Sequence, residues 1–143
     1  MKKSALYMLS AAALVLLLST VVHAAEIAVI VNKNNGNEVS REMVEKIYKG
    51  ELTQWPGGSA VVPLDQTDNS SERAAFTSQL LGKTVAAMKA LWSIKLFSGK
   101  GTPPKVLPSD EEVRNAVANN KNAIGYVKES NANGNVKVVL TLR

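Results

Sequence analysis

The chain has 143 residues, a formal charge of +5, one histidine and no cysteine. The histidine, His23, lies in an N-terminal apolar stretch, so the rest of the chain lacks Cys-His and Ser-His-Asp nucleophile chemistry and the usual zinc, copper and haem ligands. No metal or cofactor is expected, and the small basic excess reads as dispersed, with no Lys/Arg run interleaved with aromatics to indicate a nucleic-acid partner.

Lys2 and Lys3 precede an apolar run from Ala5 to Val22, and Val22-His23-Ala24 ends it with small residues where a signal peptidase reads. The pattern predicts a secretory signal peptide over residues 1–24, cleaved after Ala24. The rival is an uncleaved membrane anchor, since the run is nearly long enough to span a bilayer; the small-residue exit favours cleavage. Removing 24 of the 143 residues leaves 119, one domain over residues 25–143 with room for a real core. Its 15 basic against 12 acidic residues give +3. A secreted domain without disulfides must rely on its hydrophobic core, which suits a bacterial periplasmic protein of α/β build.

The run EIAVIV, Glu26 to Val31, reads as a buried strand, and the asparagine-rich turn Asn32 to Gly36 follows. Ser40 is placed to cap a helix through Tyr48, with Met43, Val44, Ile47 and Tyr48 on one face and Gly50 as a left-handed stop. Trp55, in the loop before Pro56-Gly57-Gly58, reads as a plug over the core edge rather than a ligand platform. Ala60 to Leu64 forms a second strand. Strand, helix and strand at this spacing predict a right-handed parallel crossover.

The stretch from Val61 to Gly82, VVPLDQTDNSSERAAFTSQLLG, is the one with chemistry in it: a strand, a polar loop, then a helix. The first amides of a helix lack internal partners and carry the positive end of its dipole, so hydroxyls beside them make a cradle for an oxyanion. The same residues also read as a cap: Asn69 with Glu72 fits a capping box, and Ser70 serves as well. From this stretch alone the cap is the more economical explanation.

A further helix is expected from Thr84 to Phe97, with Val85, Met88, Trp92 and Leu96 as a core stripe that Leu91 and Ile94 widen, and with Lys83, Lys89 and Lys95 solvated. Ser98 to Pro108 holds two glycines and three prolines, which exclude a helix or a central strand and suggest a connector along a sheet edge. SGKGT within it lacks the spacing of a nucleotide-binding loop. Ser109 with Glu112 starts another helix, and its three carboxylates are explained by the cap without a calcium or catalytic cluster. AIGYV, Ala123 to Val127, is a strand whose glycine implies close approach by another group. Val136 to Leu142 closes the chain as an alternating strand.

Several segments together resemble one family: IAVIVNK; Ser40, Ile47, Tyr48 and Gly50 with Trp55 beyond; VVPLDQTDNSSERAAF; Trp92 and FSG at Phe97 to Gly99; and NAIGYV at Asn122 to Val127. In order and spacing they are similar to the phosphate-binding subunit of bacterial phosphate ABC transporters, a type 2 periplasmic binding protein. The resemblance covers nearly the whole of residues 25–143 and is to one lobe. It implies an α/β single domain with a mostly parallel sheet flanked by helices, and phosphate held between lobes by hydroxyls, amides, an Arg and an Asp.

The family's loop resembles R-S-D-G-S-G-T. Here Thr67 matches its first Ser, Asp68 its Asp and Ser70 its second Ser, whereas Gln66 stands at the Arg, Asn69 and Ser71 at the glycines, and Glu72 at the Thr. Gln66 cannot replace a bidentate, permanently charged arginine. Glu72 would repel a dianion unless turned back into the cap, and Arg73 is positioned to compensate from within the helix.

The resemblance therefore implies a periplasmic protein of ABC-type phosphate uptake that binds inorganic phosphate or a similar small oxyanion weakly, through Gln66, Thr67, Asp68, Ser70, Ser71 and Arg73. With 119 residues the first lobe is not expected, which leaves a second reading. In it the fold persists without ligand capture, as an envelope interaction or sensory module that docks on a permease or other envelope protein or pairs with itself as a homodimer. Asp65 with Asp68 is the only carboxylate pair beside the loop; turn chemistry accounts for it, and no enzyme is expected.

Overall fold

The computed structural model describes residues 26–143. The expected leader, residues 1–24, lies outside the described residues. In chain order the elements are β1 Ile27–Asn32, α1 Arg41–Tyr48, β2 Val62–Gln66, α2 Ser71–Leu81, α3 Val85–Phe97, β3 Lys105–Leu107, α4 Asp110–Asn119, β4 Ala123–Lys128, a 3-10 turn Glu129–Asn131 and β5 Val136–Leu142. Among the described residues no helix is long and apolar enough to cross a membrane.

One five-stranded sheet has the order β3-β2-β4-β1-β5. β2 pairs in parallel with both β3 and β4, while β1 runs antiparallel to β4 and to β5. Four strands thus point one way and β1 alone is reversed, which gives the α/β, mostly parallel sheet. The expected crossover from β1 to β2 does not occur. β4 lies between those strands, and they run in opposite directions. The apolar run of β1 specifies burial on both faces, and such a pattern carries no information about strand direction.

Alternation along the strands divides the core into two layers. Ile27, Val29 and Val31 meet Val44, Ile47 and Tyr48 of α1, Phe76 and Leu80 of α2, and Ile124 and Tyr126 of β4. Ala28 and Ile30 meet Leu64, Val127, and Val113 and Val117 of α4 on the other face. Gly125 keeps the second layer tight. A Cβ there would stand 2.6 Å from Val113 Cγ1 and 3.5 Å from Val117 Cγ2, the close approach expected of a glycine within a strand. Trp55 is buried and its indole donates to the Asn122 carbonyl at 3.0 Å, so it does plug the core edge.

Among the described residues each of the four α-helices begins with a hydroxyl cap, at Ser40, Ser70, Thr84 and Ser109, whose oxygen accepts a backbone N–H three residues on. α3 departs from expectation. Met88 is its one fully buried residue, Trp92 is half-buried over Gly50, and Ile94, Leu96 and Phe97 are exposed. α1 and α2 already cover that face of the sheet, so α3, joined to α2 by the short link Gly82 to Thr84, packs against α2 and not on the strands. The proline-rich connector runs into β3, an edge strand beside β2.

Candidate functional site

β2 ends at the carboxyl edge of the parallel strands, where open α/β sheets present ligands, and α2 begins just beyond it. Alternation along β2 sends Leu64 and Gln66 towards α4 and Asp65 towards α2. Gln66 is buried, with 2% of its surface exposed. Its amide nitrogen donates to Asp110 Oδ1 at 2.7 Å and to the Tyr126 carbonyl at 3.0 Å. The side chain therefore ties β2 to α4 and β4 and does not face the cleft.

The structure puts Ser70 at the cap that the sequence left open between Asn69 and Ser70. Ser70 Oγ accepts from the Arg73 amide at 3.1 Å, and Gln66 Oε1 and Glu72 Oε2 each lie 3.1 Å away to receive its proton. The Ser71 hydroxyl donates to Glu72 Oε2 at 3.2 Å, and the Thr67 hydroxyl to Asn69 Oδ1 at 3.0 Å. Glu72 is thus turned back into the cap. Helix geometry leaves the Ser71 and Glu72 amides without intrahelical partners.

Arg73 folds its guanidinium back over the end of β2. Its Nη1 donates to the Gln66 carbonyl at 3.0 Å and to Asp68 Oδ1 at 2.6 Å, and its Nε lies 3.4 Å from Asp65 Oδ1. Lys89, expected in solvent, reaches from α3 to the other oxygen of Asp68. The hydrogen bond from Lys89 holds the Asp68 carboxyl below its usual range, and the charges of Lys89 and Arg73 add to this against partial desolvation. The Tyr126 hydroxyl donates to Asp65 Oδ1 and accepts from the Gln66 amide at 3.2 Å. Burial, then the neighbouring Asp65 charge, push its phenol far above the ordinary value, so it remains a neutral donor.

A hollow of about 240 Å³ opens in front of these groups. Asp65, Asp68, Arg73 and Lys89 form its polar wall, and Trp92, Leu96, Pro103, Pro104 and Val106 its apolar wall. The formal charges of the polar wall balance, two carboxylates against two cations. Of the residues singled out from the sequence, Asp68 and Arg73 line the hollow, Thr67, Ser70 and Ser71 gather at the helix start beside it, and Gln66 supports the floor from behind. Sequence reasoning missed Lys89 and Tyr126. Lys89 is brought to Asp68 and Tyr126 to β2 by tertiary contacts across more than twenty and sixty positions respectively, for which no local spacing gives a signal.

Fold and site define a class: an α/β lobe that offers a loop and a helix start at the carboxyl edge of its sheet. The chain belongs to the family described as the PBP superfamily domain, which matches residues 18–139. Its fold is similar to an ABC-type phosphate transport receptor from Vibrio cholerae, with a TM-score of 0.63 and 21% identity over 81% of this chain and 46% of that one. A protein from Clostridium perfringens, described as a phosphate ABC transporter substrate-binding protein and solved with bound phosphate, gives a TM-score of 0.65 and 26% identity over 82% of this chain and 46% of that one. PstS from Borrelia burgdorferi gives 0.56 and 19% over 76% of this chain and 43% of that one. The chain spans less than half the length of these solved relatives, consistent with the likeness to a single lobe read from the motifs. No curated protein matches it in sequence.

Proposed function

We propose that this lobe binds inorganic phosphate or a similar small oxyanion, weakly, in the hollow at the start of α2, as part of ABC-type phosphate uptake in the periplasm. The observation that carries the reading is the Arg73 guanidinium. It lies against the Gln66 backbone and faces the hollow, in a chain 26% identical to a protein solved with phosphate. Arg73 then supplies from the helix the permanent charge that Gln66 cannot supply from the strand. The amides of Ser71 and Glu72 and the hydroxyls of Thr67, Ser70 and Ser71 complete the cradle. Asp68 accepts the proton of a protonated phosphate oxygen, a pairing that fully ionised sulfate lacks.

Affinity is weak because the ligand must loosen existing ion pairs of Asp68 with Arg73 and Lys89. Calorimetry and thermal melting test the reading: about 10 mM phosphate releases or takes up heat and raises the melting temperature by a few degrees, while sulfate does less. No heat and no shift would overturn it. Residues 1–24 act as a cleaved leader in this reading, and the amino terminus of the exported protein is then Ala25.

A second reading is favoured by one observation. The hydroxyls of Thr67, Ser70 and Ser71 all have acceptors within the chain, and both cations of the hollow are already paired. A lobe so satisfied serves as an envelope module that keeps the fold without capturing a ligand, docking on a permease or other envelope protein or pairing with itself. The same titration separates the two.

A further inference from the structure

α3 is apolar on the side it turns to solvent. That side is Ala86, Ala87, Ala90, Ile94 and Phe97, all exposed, with Ser93 at its edge beside the hollow. Phe97 is 91% exposed and Ile94 69%. Lys89 and Lys95 are the only charged residues of the helix, and of its apolar side chains Met88 alone is buried.

Charge is segregated onto the same part of the molecule. Residues 73 to 109 contain six basic residues, Arg73, Lys83, Lys89, Lys95, Lys100 and Lys105, and no acidic one. The remainder of residues 25–143 then holds nine basic against twelve acidic residues, a net −3. Arg73 and Lys89 are balanced by Asp65 and Asp68 in the hollow, which leaves Lys83, Lys95 and Lys100 as the cations on α3 and at its ends that meet no carboxylate among the described residues. Lys83 and Lys100 are exposed just beyond the two ends of the helix; Lys105 pairs with Leu64 of β2 and so faces the α4 side of the sheet.

We propose that the outer face of α3 docks on an anionic phospholipid bilayer, with Ile94 and Phe97 entering the interface and the flanking lysines lying at the headgroups. Apolar side chains bounded by lysines are the pattern of an interfacial helix, and the lysines add attraction to anionic lipid. A second copy is the poorer occupant. A two-fold pairing of this face with itself would set one lysine-bounded face against another, with no carboxylate between residues 73 and 109 to relieve them. The inference stands apart from the oxyanion reading, because Ile94 and Phe97 do not line the hollow.

The chain has no cysteine, so a single introduced one can be labelled cleanly. An environment-sensitive dye is placed on the full chain at Ala90→Cys, and a control dye at Lys121→Cys on the opposite layer. Vesicles containing about 30 mol% phosphatidylglycerol are expected to shift the emission at position 90 to the blue and leave position 121 unmoved. The shift at 90 should vanish with phosphatidylcholine alone and in about 0.5 M salt. Ile94→Ser with Phe97→Ser, both at exposed sites, should weaken it about tenfold while leaving the melting temperature and the response to phosphate unchanged. An unmoved dye at 90, or a shift indifferent to lipid charge, overturns the proposal. So does a concentration-dependent dimer that the double substitution abolishes, which would assign the face to a second copy.

Discussion

The starts of α2 and α4 are built from the same chemistry and do different things. Each has a serine cap, at Ser70 and Ser109, each has acidic residues in its first turn, and each follows one of two adjacent parallel strands, β2 and β3. At α4 the space in front is occupied. Asp110 accepts from Gln66 Nε2 at 2.7 Å, from the Lys128 amide at 3.1 Å and from Asn131 Nδ2 at 2.8 Å, so that helix start works as a latch between strands. At α2 the strand contributes Asp65 and the helix contributes Arg73, and a hollow remains in front of both. A cap motif therefore does not define a site. What decides is whether neighbouring side chains fill the space the helix points into.

The largest effect is expected of Arg73→Ala, which leaves the mostly buried Asp65 without its cation. Urea unfolding should show a loss of about 3–5 kcal/mol, the cost of breaking a buried pair by removing one partner. A small loss would mean that Asp65 is held by Tyr126 alone.

Alkaline pH comes next and reaches both helix starts through β4. Tyr126 touches Asp65 through its hydroxyl and Gln66 through its carbonyl, and Tyr48 lies buried beside it. Burial raises both phenols in the folded state. Their protons are retained on folding but released on unfolding above about pH 10, so stability is unaffected below that pH and falls above it. For two tyrosines the slope approaches about 2.7 kcal/mol per pH unit. Tyrosinate absorbance should appear together with unfolding and not before it.

Asp110→Ala opens the latch and should cost about 2 kcal/mol in urea, with Gln66 keeping its bond to the Tyr126 carbonyl. It should leave any phosphate response in place, since Asp110 does not line the hollow. Asp68→Asn should have the smallest effect on stability, because its ion pairs are half-exposed and screened. The folded state depresses the Asp68 carboxyl, so its contribution is present above about pH 4 and is lost as the pH falls further. Melting curves taken from about pH 6 to about pH 3 should show that acid step in the parent and a shallower one in the variant.

Local chemistry was legible in the sequence. Ser40, Ser109 and Gly50 marked helix ends, Gly125 marked close packing, and Trp55 marked a plug. The loop from Thr67 to Ser71 marked the helix start around which the hollow forms. Direction and partnership were not legible. β1 is apolar at every position and would be buried identically in either orientation, so its reversal is decided by its pairing with β4 and β5. The apolar stripe of α3 read as core because periodicity reports that a face is apolar and not what covers it. Gln66 and Arg73 illustrate the same limit within the site. Alignment put the missing charge at Gln66, but side-chain direction turned Gln66 away and brought Arg73 back over the strand.

In the function proposed for this lobe the α2 start accepts an oxyanion and the α4 start does not. An amide-resolved NMR titration of the isotopically labelled protein with inorganic phosphate tests it most directly. Progressive shifts are expected of the Ser71 and Glu72 amides and of the Arg73 guanidinium, with Glu111 and Glu112 of α4 unmoved. Unshifted resonances at Ser71, Glu72 and Arg73, or equal shifts at the two helix starts, would contradict it.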